Sequence, residues 1–289
     1  MESMIYSHEH ISIDLSGVKK DIDCRLDDRD AVVGELKTLK EKGVSIIIDQ
    51  SNRGMGRDTR YNQGVADETG IRVLHATGYY KEPFLPEECH SLSELELCKI
   101  MCGELREGIE GTGIKADFIG EIGTSKEAIL PIEEKILRAG SRAHNETGAS
   151  ICTHTTLGLL GLEQVEIFND CGVDLSKVVI SHLDLSGDVE YMVRLLDTGV
   201  NIAFDTIGKL PYQPDTGRVK WLSELCKRGY ASQIVLSMDI TRKSHYLSYG
   251  GLGYTYLIDT FLPMAREGGC GNAELTAMLT TNPRKIYGC

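Results

Sequence analysis

Short apolar runs rich in valine and isoleucine recur eight times along this 289-residue chain, most of them followed by an amphipathic stretch. The runs fall at 4–11, 44–50, 72–77, 118–122, 150–154, 178–182, 200–204 and 234–238. The clearest amphipathic stretches are 28–42, 91–110, 131–147, 158–169 and 188–197. A strand that is apolar throughout needs cover on both faces, and parallel strands joined by helical crossovers provide it. Eight such units are the number that closes a TIM barrel, a fold that takes about 250 residues as one domain. The sequence therefore reads as an α/β protein, a (β/α)8 TIM barrel over residues 1–289, without linkers or low-complexity segments. Gly43, Gly70, Gly148, Gly172, Gly199 and Gly229 stand near the ends of helical stretches, where a left-handed residue stops a helix. Asn282-Pro283 reads as a helix N-cap followed by proline in the first turn.

Composition narrows the functional class. A formal net charge of −12 argues against a general nucleic-acid binder, which needs a basic footprint. No run of about 18 apolar residues occurs, so no membrane span is expected. Residues 1–10 lack the basic and apolar regions of a signal peptide, and the expected compartment is the cytoplasm. Nine cysteines without a CxxC pair read as reduced, mostly buried thiols rather than a disulfide framework. Cys98 and Cys102 could share a helical face, but a zinc knuckle would need two more ligands nearby.

The chemistry-bearing residues gather at strand ends. His8 and His10 close the first run; alternation gives them a common face, expected to be the barrel interior. Glu121 ends the fourth run, His154 the fifth, His182 the sixth and Asp239 the eighth. All six fall on the C-terminal rim, where barrel enzymes keep their active sites. Four imidazoles and two carboxylates suit zinc or a similar divalent cation. Burying the carboxylates without a cation would be costly. His75, inside the third run, and His144, in a helical stretch, read as structural.

This constellation resembles the phosphotriesterase branch of the amidohydrolase superfamily over the whole chain, most closely its phosphotriesterase-homology subgroup. The resemblance includes Thr77-Gly78-Tyr79-Tyr80, Glu121-Ile122-Gly123-Thr124-Ser125, Phe204-Asp205-Thr206-Ile207-Gly208-Lys209, Met238-Asp239-Ile240-Thr241-Arg242 and Gly250-Gly251-Leu252-Gly253-Tyr254. It implies a binuclear site of two divalent metal ions per chain at the C-terminal ends of the strands, zinc being expected. His8, His10 and Asp239 would hold the more buried ion, and His154 and His182 the more exposed one. The family's bridging ligand is usually a carbamylated lysine; here Glu121 stands in that place, so site assembly should not require carbon dioxide. Two such ions share a water whose pKa they lower toward neutrality, and Asp239 is the implied catalytic proton acceptor.

The loops after the strands supply a cationic mouth: Arg53 and Arg57, then Tyr79, Tyr80 and Lys81, then Lys209, then Arg242, Lys243 and His245. Tyr80, Lys209, Arg242 and Lys243 are the expected substrate contacts, and guanidinium and ammonium groups suit phosphate or carboxylate. The family's lactonase branch carries arginine where this chain has Thr206 and lacks a closely matching Arg242-Lys243 loop, which weighs against simple N-acyl homoserine lactones. The expected partner is a small, anionic molecule, with a homodimer compatible with the family. Three functions compete: hydrolysis of a small lactone or carboxylic ester, including phosphorylated sugar lactones; phosphoester hydrolysis with the same metals; and a non-catalytic metal-binding barrel.

Overall fold

The computed structural model describes residues 3–289. Eight strands pair in chain order, each parallel to the next. They are β1 (Met4–Glu9), β2 (Val44–Asp49), β3 (Arg72–Thr77), β4 (Phe118–Thr124), β5 (Ile151–Thr155), β6 (Val178–Ile180), β7 (Asn201–Phe204) and β8 (Ile234–Leu236). The barrel closes where Asp239 N–H donates to the His8 carbonyl at 3.2 Å and His8 N–H donates to Ser237 Oγ at 3.0 Å. Helices α1 (Arg29–Glu41), α2 (Thr59–Thr69), α3 (Glu94–Arg106), α4 (Pro131–Thr147), α5 (Gly161–Asp170), α6 (Val189–Asp197) and α7 (Asp215–Lys227) form the outer layer, completed by α8 (Leu262–Glu267), α9 (Asn272–Leu279) and α10 (Thr281–Tyr287). Among the described residues no helix is long and apolar enough to cross a membrane.

Local chemistry sets the boundaries. Asp28, Asp58 and Asp188 cap α1, α2 and α6 by accepting backbone N–H groups of the first turn. Ser93 and Glu96 form a capping box, so α3 starts at Glu94 rather than at 91. Gly70 and Gly148 end α2 and α4 in the left-handed conformation. Asn282 departs from its expected role. It lies inside the first turn of α10, and its amide donates to the carbonyls of Ala231 and Ile234 at 2.8 and 2.7 Å. It ties the last helix to the start of β8 instead of capping it.

Two apolar layers result. Ile5, Ile46, Ile48, Leu74, Phe118 and Val235 fill the barrel interior, and Ile286 and Tyr287 of α10 pack against them. Tyr6, Ile47, Ile119, Ile122 and Phe204 face the helices. By strict alternation from interior Ile5, His8 and His10 would fall on the helix side with Tyr6. A register shift between Tyr6 and Glu9 prevents this. The extra residue in β1 reverses the phase and turns both imidazoles into the barrel mouth. A second shift, between Ile119 and Ile122 in β4, puts Glu121 inward after interior Phe118. Bulges re-aim side chains in this way. The expected common face of His8 and His10 holds, and bulge geometry rather than simple alternation turns it inward.

His75 of β3 is buried, and its Nε2 has no hydrogen-bond partner. Burial lowers its pKa against the opposing pull of Asp49 and Asp117, with Arg57 adding to the depression. The folded chain thus keeps this imidazole neutral, while the unfolded chain takes up a proton below about pH 6.5. The stability associated with neutral His75 is full above that pH and is lost as pH falls toward the folded pKa. His75→Gln should therefore flatten the decline in melting temperature between about pH 7 and pH 5. A melting-temperature difference from the parent that stays constant over that range would contradict this account.

Candidate metal centre

Glu121 lies at the centre of the barrel mouth, 2% exposed, with four imidazoles from three chain segments directed at it. His8 Nε2 lies 3.5 Å from Oε2, His154 Nδ1 3.3 Å, and His182 Nε2 3.5 Å, while His10 Nε2 is 3.8 Å from Oε1. Asp239 Oδ1 stands 3.3 Å from His10 Nε2 and 3.8 Å from His8 Nε2. His8, His10 and Asp239 form one compact ligand group; His8, Glu121 and His182 form another. His154 Nδ1 is 3.0 Å from His182 Nε2, at the more open side. All six expected ligands are brought together.

The donor set fits divalent cations. His8 Nε2 and His10 Nε2 are buried without hydrogen-bond partners. Most of the nitrogen–oxygen separations here exceed a hydrogen bond. They approach the roughly 3.4 Å edge of a tetrahedron with metal–ligand bonds of about 2.0–2.1 Å. The charges point the same way. Burial would raise the Glu121 pKa, yet His8 and His154 hold it well below the carboxylate range. Burial would likewise raise Asp239, but Lys209 and the nearby imidazoles hold it low. Burial depresses His154 to about 4. It also opposes charge on His182, where Asp205 prevails and raises the pKa to about 10. The buried carboxylates demand positive charge: against the effect of burial, Asp205 and Glu121 raise the His8 pKa and Asp205 that of His182, and a divalent cation held by the imidazole nitrogens would meet the same demand.

Two carboxylates outside the expected set position the ligands. Asp205 Oδ1 accepts from His182 N–H at 2.9 Å and lies 2.9 Å from His182 Nδ1; its Oδ2 lies 3.1 Å from His8 Nδ1. It therefore orients one imidazole from each proposed metal site. Glu9, between His8 and His10, accepts from Ser237 Oγ, Met238 N–H and Ile240 N–H at 2.7, 2.8 and 2.9 Å. These bonds flank Asp239, whose φ is +52°, while Asp205 pins His182, whose φ is +62°. Left-handed non-glycine residues cost about 1–3 kcal/mol each and persist where their surroundings fix them. The turns also explain why β6 and β8 end before His182 and Asp239. Gly123 makes room for the neighbouring strand: a Cβ there would lie 2.8 Å from His154 Cβ. Asp205 was visible in sequence only as part of the Phe204–Lys209 motif, because its two imidazole partners are remote in the chain.

A cavity of about 230 Å³ opens above the cluster, lined by His10, Glu121, His154, His182 and Asp239 together with Tyr80, Lys19, Lys81, Lys209 and Arg242. Tyr80 places its hydroxyl 3.2 Å from His154 Nδ1. The Lys209 ammonium contacts Asp239 Oδ2, and Arg242 donates to Asp21 Oδ2 at 2.6 Å. Lys243, expected as a substrate contact, is outside the lining; its ammonium is turned to Asp27. Arg53 and Arg57 are also outside it. Arg53 pairs with Glu88, Glu104 and Glu110, and Arg57 with Glu104 and Glu110. Their charges are satisfied between outer loops and helices. Lys19 is the cavity cation the sequence reading lacked, contributed by the loop after β1.

Comparisons with known proteins agree with this geometry. The sequence model for the phosphotriesterase family matches residues 3–287. A phosphotriesterase homology protein of Escherichia coli is 44% identical over 281 residues, covering 97% of this chain and 96% of its own. Its crystal structure, complexed with phosphate in the active site, superposes with a TM-score of 0.97 at 43% identity, covering 99% of both chains. A lactonase structure from Listeria monocytogenes gives a TM-score of 0.94 at 29% identity, covering 99% of this chain and 94% of that one. An N-acetyltaurine hydrolase of Dictyostelium discoideum is 30% identical over 277 residues, covering 91% of this chain and 74% of its own.

Asp205→Asn retains shape but replaces one of the two carboxylate acceptors by an amide donor. It should weaken metal binding roughly 10- to 100-fold, as loss of an outer-shell partner does. Chelator competition measures this, and an unchanged affinity would remove Asp205 from its positioning role.

Proposed function

The chain belongs to the phosphotriesterase family, and on that footing we propose that it is a metal-dependent hydrolase acting on a small lactone or carboxylic ester that carries an anionic group. A phosphorylated sugar lactone fits this description. The observation that carries the reading is the union of a six-ligand floor with a cationic wall. His10, Glu121, His154, His182 and Asp239 reach the cavity floor above His8, and Lys19, Lys81, Lys209 and Arg242 stand around it. Two divalent cations, zinc being the expected ion, would lower the pKa of a water and polarise the bond under attack. His8, His10 and Asp239 would hold one, His154 and His182 the other, with Glu121 shared.

The side chains supply the remaining functions. Asp239 presents its carboxylate to the cavity and is the proton acceptor for the attacking water. Lys209 touches that carboxylate, so it couples the proton acceptor to the anion-binding wall. Tyr80 can donate its hydroxyl proton to a lactone oxygen, and Arg242 offers a guanidinium to a phosphate or carboxylate. Thr206 lines the cavity, but its hydroxyl is engaged by Asp184 and Arg218. The arginine beneath it, Arg218, is fully buried and bonded to Thr206, Asp184 and Asp215, so it is withheld from substrate. Phosphoester hydrolysis is the second reading, favoured by the phosphate in the active site of the Escherichia coli relative. The same floor and wall would serve, with phosphorus in place of carbon as the electrophile.

A pH-indicator screen on zinc- and manganese-loaded protein tests the choice, using sugar lactones with and without a 5-phosphate, homoserine lactones, and aryl phosphodi- and triesters. Turnover concentrated on phosphorylated lactones is expected; phosphoester cleavage without lactone turnover would transfer the assignment to the second reading. With the best substrate, Asp239→Asn should lower kcat by at least about 100-fold, and near-normal turnover would remove Asp239 from the chemistry. Arg242→Ala should raise KM with little change in kcat, whereas Lys209→Ala should alter both, because only Lys209 touches Asp239. Identical kinetic signatures for the two variants would refute that division of roles.

A further inference from the structure

Away from the barrel mouth, α3 and α4 bring two thiols and a carboxylate together. Cys98 and Cys102 lie one turn apart on the same face of α3. Both are buried, with Sγ atoms 4.0 Å apart. Glu146, in the last turn of α4, places Oε1 3.7 Å from Cys98 Sγ and Oε2 3.6 Å from Cys102 Sγ. Among the described residues this is the one candidate ligand group outside the barrel mouth. Sequence spacing identified the shared face of the thiols, but Glu146 is 44 residues beyond Cys102 and is supplied by helix packing.

We propose that Cys98, Cys102 and Glu146 form a separate binding site for a soft or borderline divalent cation such as zinc or cadmium. The geometry is suitable. A tetrahedral zinc site with bonds of about 2.3 Å to sulfur and about 2.1 Å to oxygen has edges of roughly 3.8 Å between sulfurs and 3.6 Å between sulfur and oxygen. The sulfur–sulfur separation matches its edge to a few tenths of an ångström, each sulfur has one of the two Glu146 oxygens near the sulfur–oxygen edge, and one ligand atom from each residue lies within 4.8 Å of the others, so a small rotation of the half-exposed carboxylate completes the set. The ligand chemistry is suitable as well, because thiolates select soft and borderline cations over magnesium or calcium. Glu146 has a half-exposed side chain, leaving a route for the ion and a position for water as the fourth ligand. Binding replaces two S–H bonds by two sulfur–metal bonds and releases two protons to solvent; no electron is transferred. The resulting complex of two thiolates, one carboxylate and a divalent cation carries one net negative charge, and Arg106 lies 3.7 Å from Glu146 Oε2 to offset it. Burial raises the pKa of both thiols, that of Cys98 to about 12, so a cation must displace their protons to bind.

Cadmium titration of the full chain provides a test with a readout independent of hydrolase activity. Thiolate-to-cadmium charge transfer absorbs in the ultraviolet, whereas the imidazole and carboxylate ligands at the barrel mouth give no such band. Beyond the two equivalents the barrel mouth would take up, one further equivalent of cadmium should suffice for the full band and shield two thiols from a thiol-modifying reagent. The double variant Cys98→Ser/Cys102→Ser should lose both effects while retaining metal-dependent hydrolysis. Glu146→Gln, a change at a half-exposed position, should weaken cadmium binding by at least the roughly tenfold lower limit for loss of a supporting ligand contact. Absence of the band in the parent protein, its persistence in a folded double variant, or unchanged affinity in Glu146→Gln would each overturn the proposal. If the double variant does not fold, the parent titration and Glu146→Gln still decide it.

Discussion

The contact of one buried carboxylate with four imidazoles organises the barrel mouth. Glu121 meets His8 and His10 from the end of β1, His154 from β5 and His182 from the turn after β6. Negative charge in a buried site requires compensation, and the imidazoles arrange around it accordingly. Asp205 and Glu9 extend the arrangement outward. One fixes two imidazoles from behind, and the other fixes the backbone on both sides of Asp239. The left-handed turns at His182 and Asp239 are held by the same buried carboxylates that orient the ligands, so strand closure and site geometry are one construction.

Outside this centre, charge is distributed by pairing rather than by simple abundance. The loop after β8 meets the loop after β1 through Arg242–Asp21, Lys243–Asp27 and Ser244–Asp23 contacts. Arg242 still reaches the cavity, whereas Lys243 is turned away. The loop after β2 behaves differently. Arg53 and Arg57 enter a network with Glu88, Glu104 and Glu110, in which Glu104 is nearly buried. Four cations around the cavity therefore coexist with a formal chain charge of −12. Local placement, not the global sum, sets the field a substrate meets.

Much of this was legible before folding was considered. Apolar runs located the strands, amphipathic stretches located α1, α3, α4, α5 and α6, and the acid and imidazole residues at strand ends pointed to the cluster at the barrel mouth. The limits were equally physical. Asn282 looks like a helix cap until its amide is seen bonded to Ala231 and Ile234, contacts available only when α10 lies against the start of β8. Lys243 and Arg242 are adjacent in sequence, but opposing acids on another loop give them different directions.

The sequence by itself determined the eightfold β/α order, the ligand types and their location on the C-terminal rim, because periodicity and residue chemistry are local properties. Tertiary structure decided which way those residues point. Register shifts in β1 and β4 turn His8, His10 and Glu121 inward. Ion pairing withdraws Arg53, Arg57 and Lys243 from the cavity, while Lys19, Lys209 and Arg242 line it. Packing of α3 against α4 joins Glu146 to the two thiols. These outcomes depend on contacts between residues far apart in the chain, where backbone register, burial and charge pairing are resolved together.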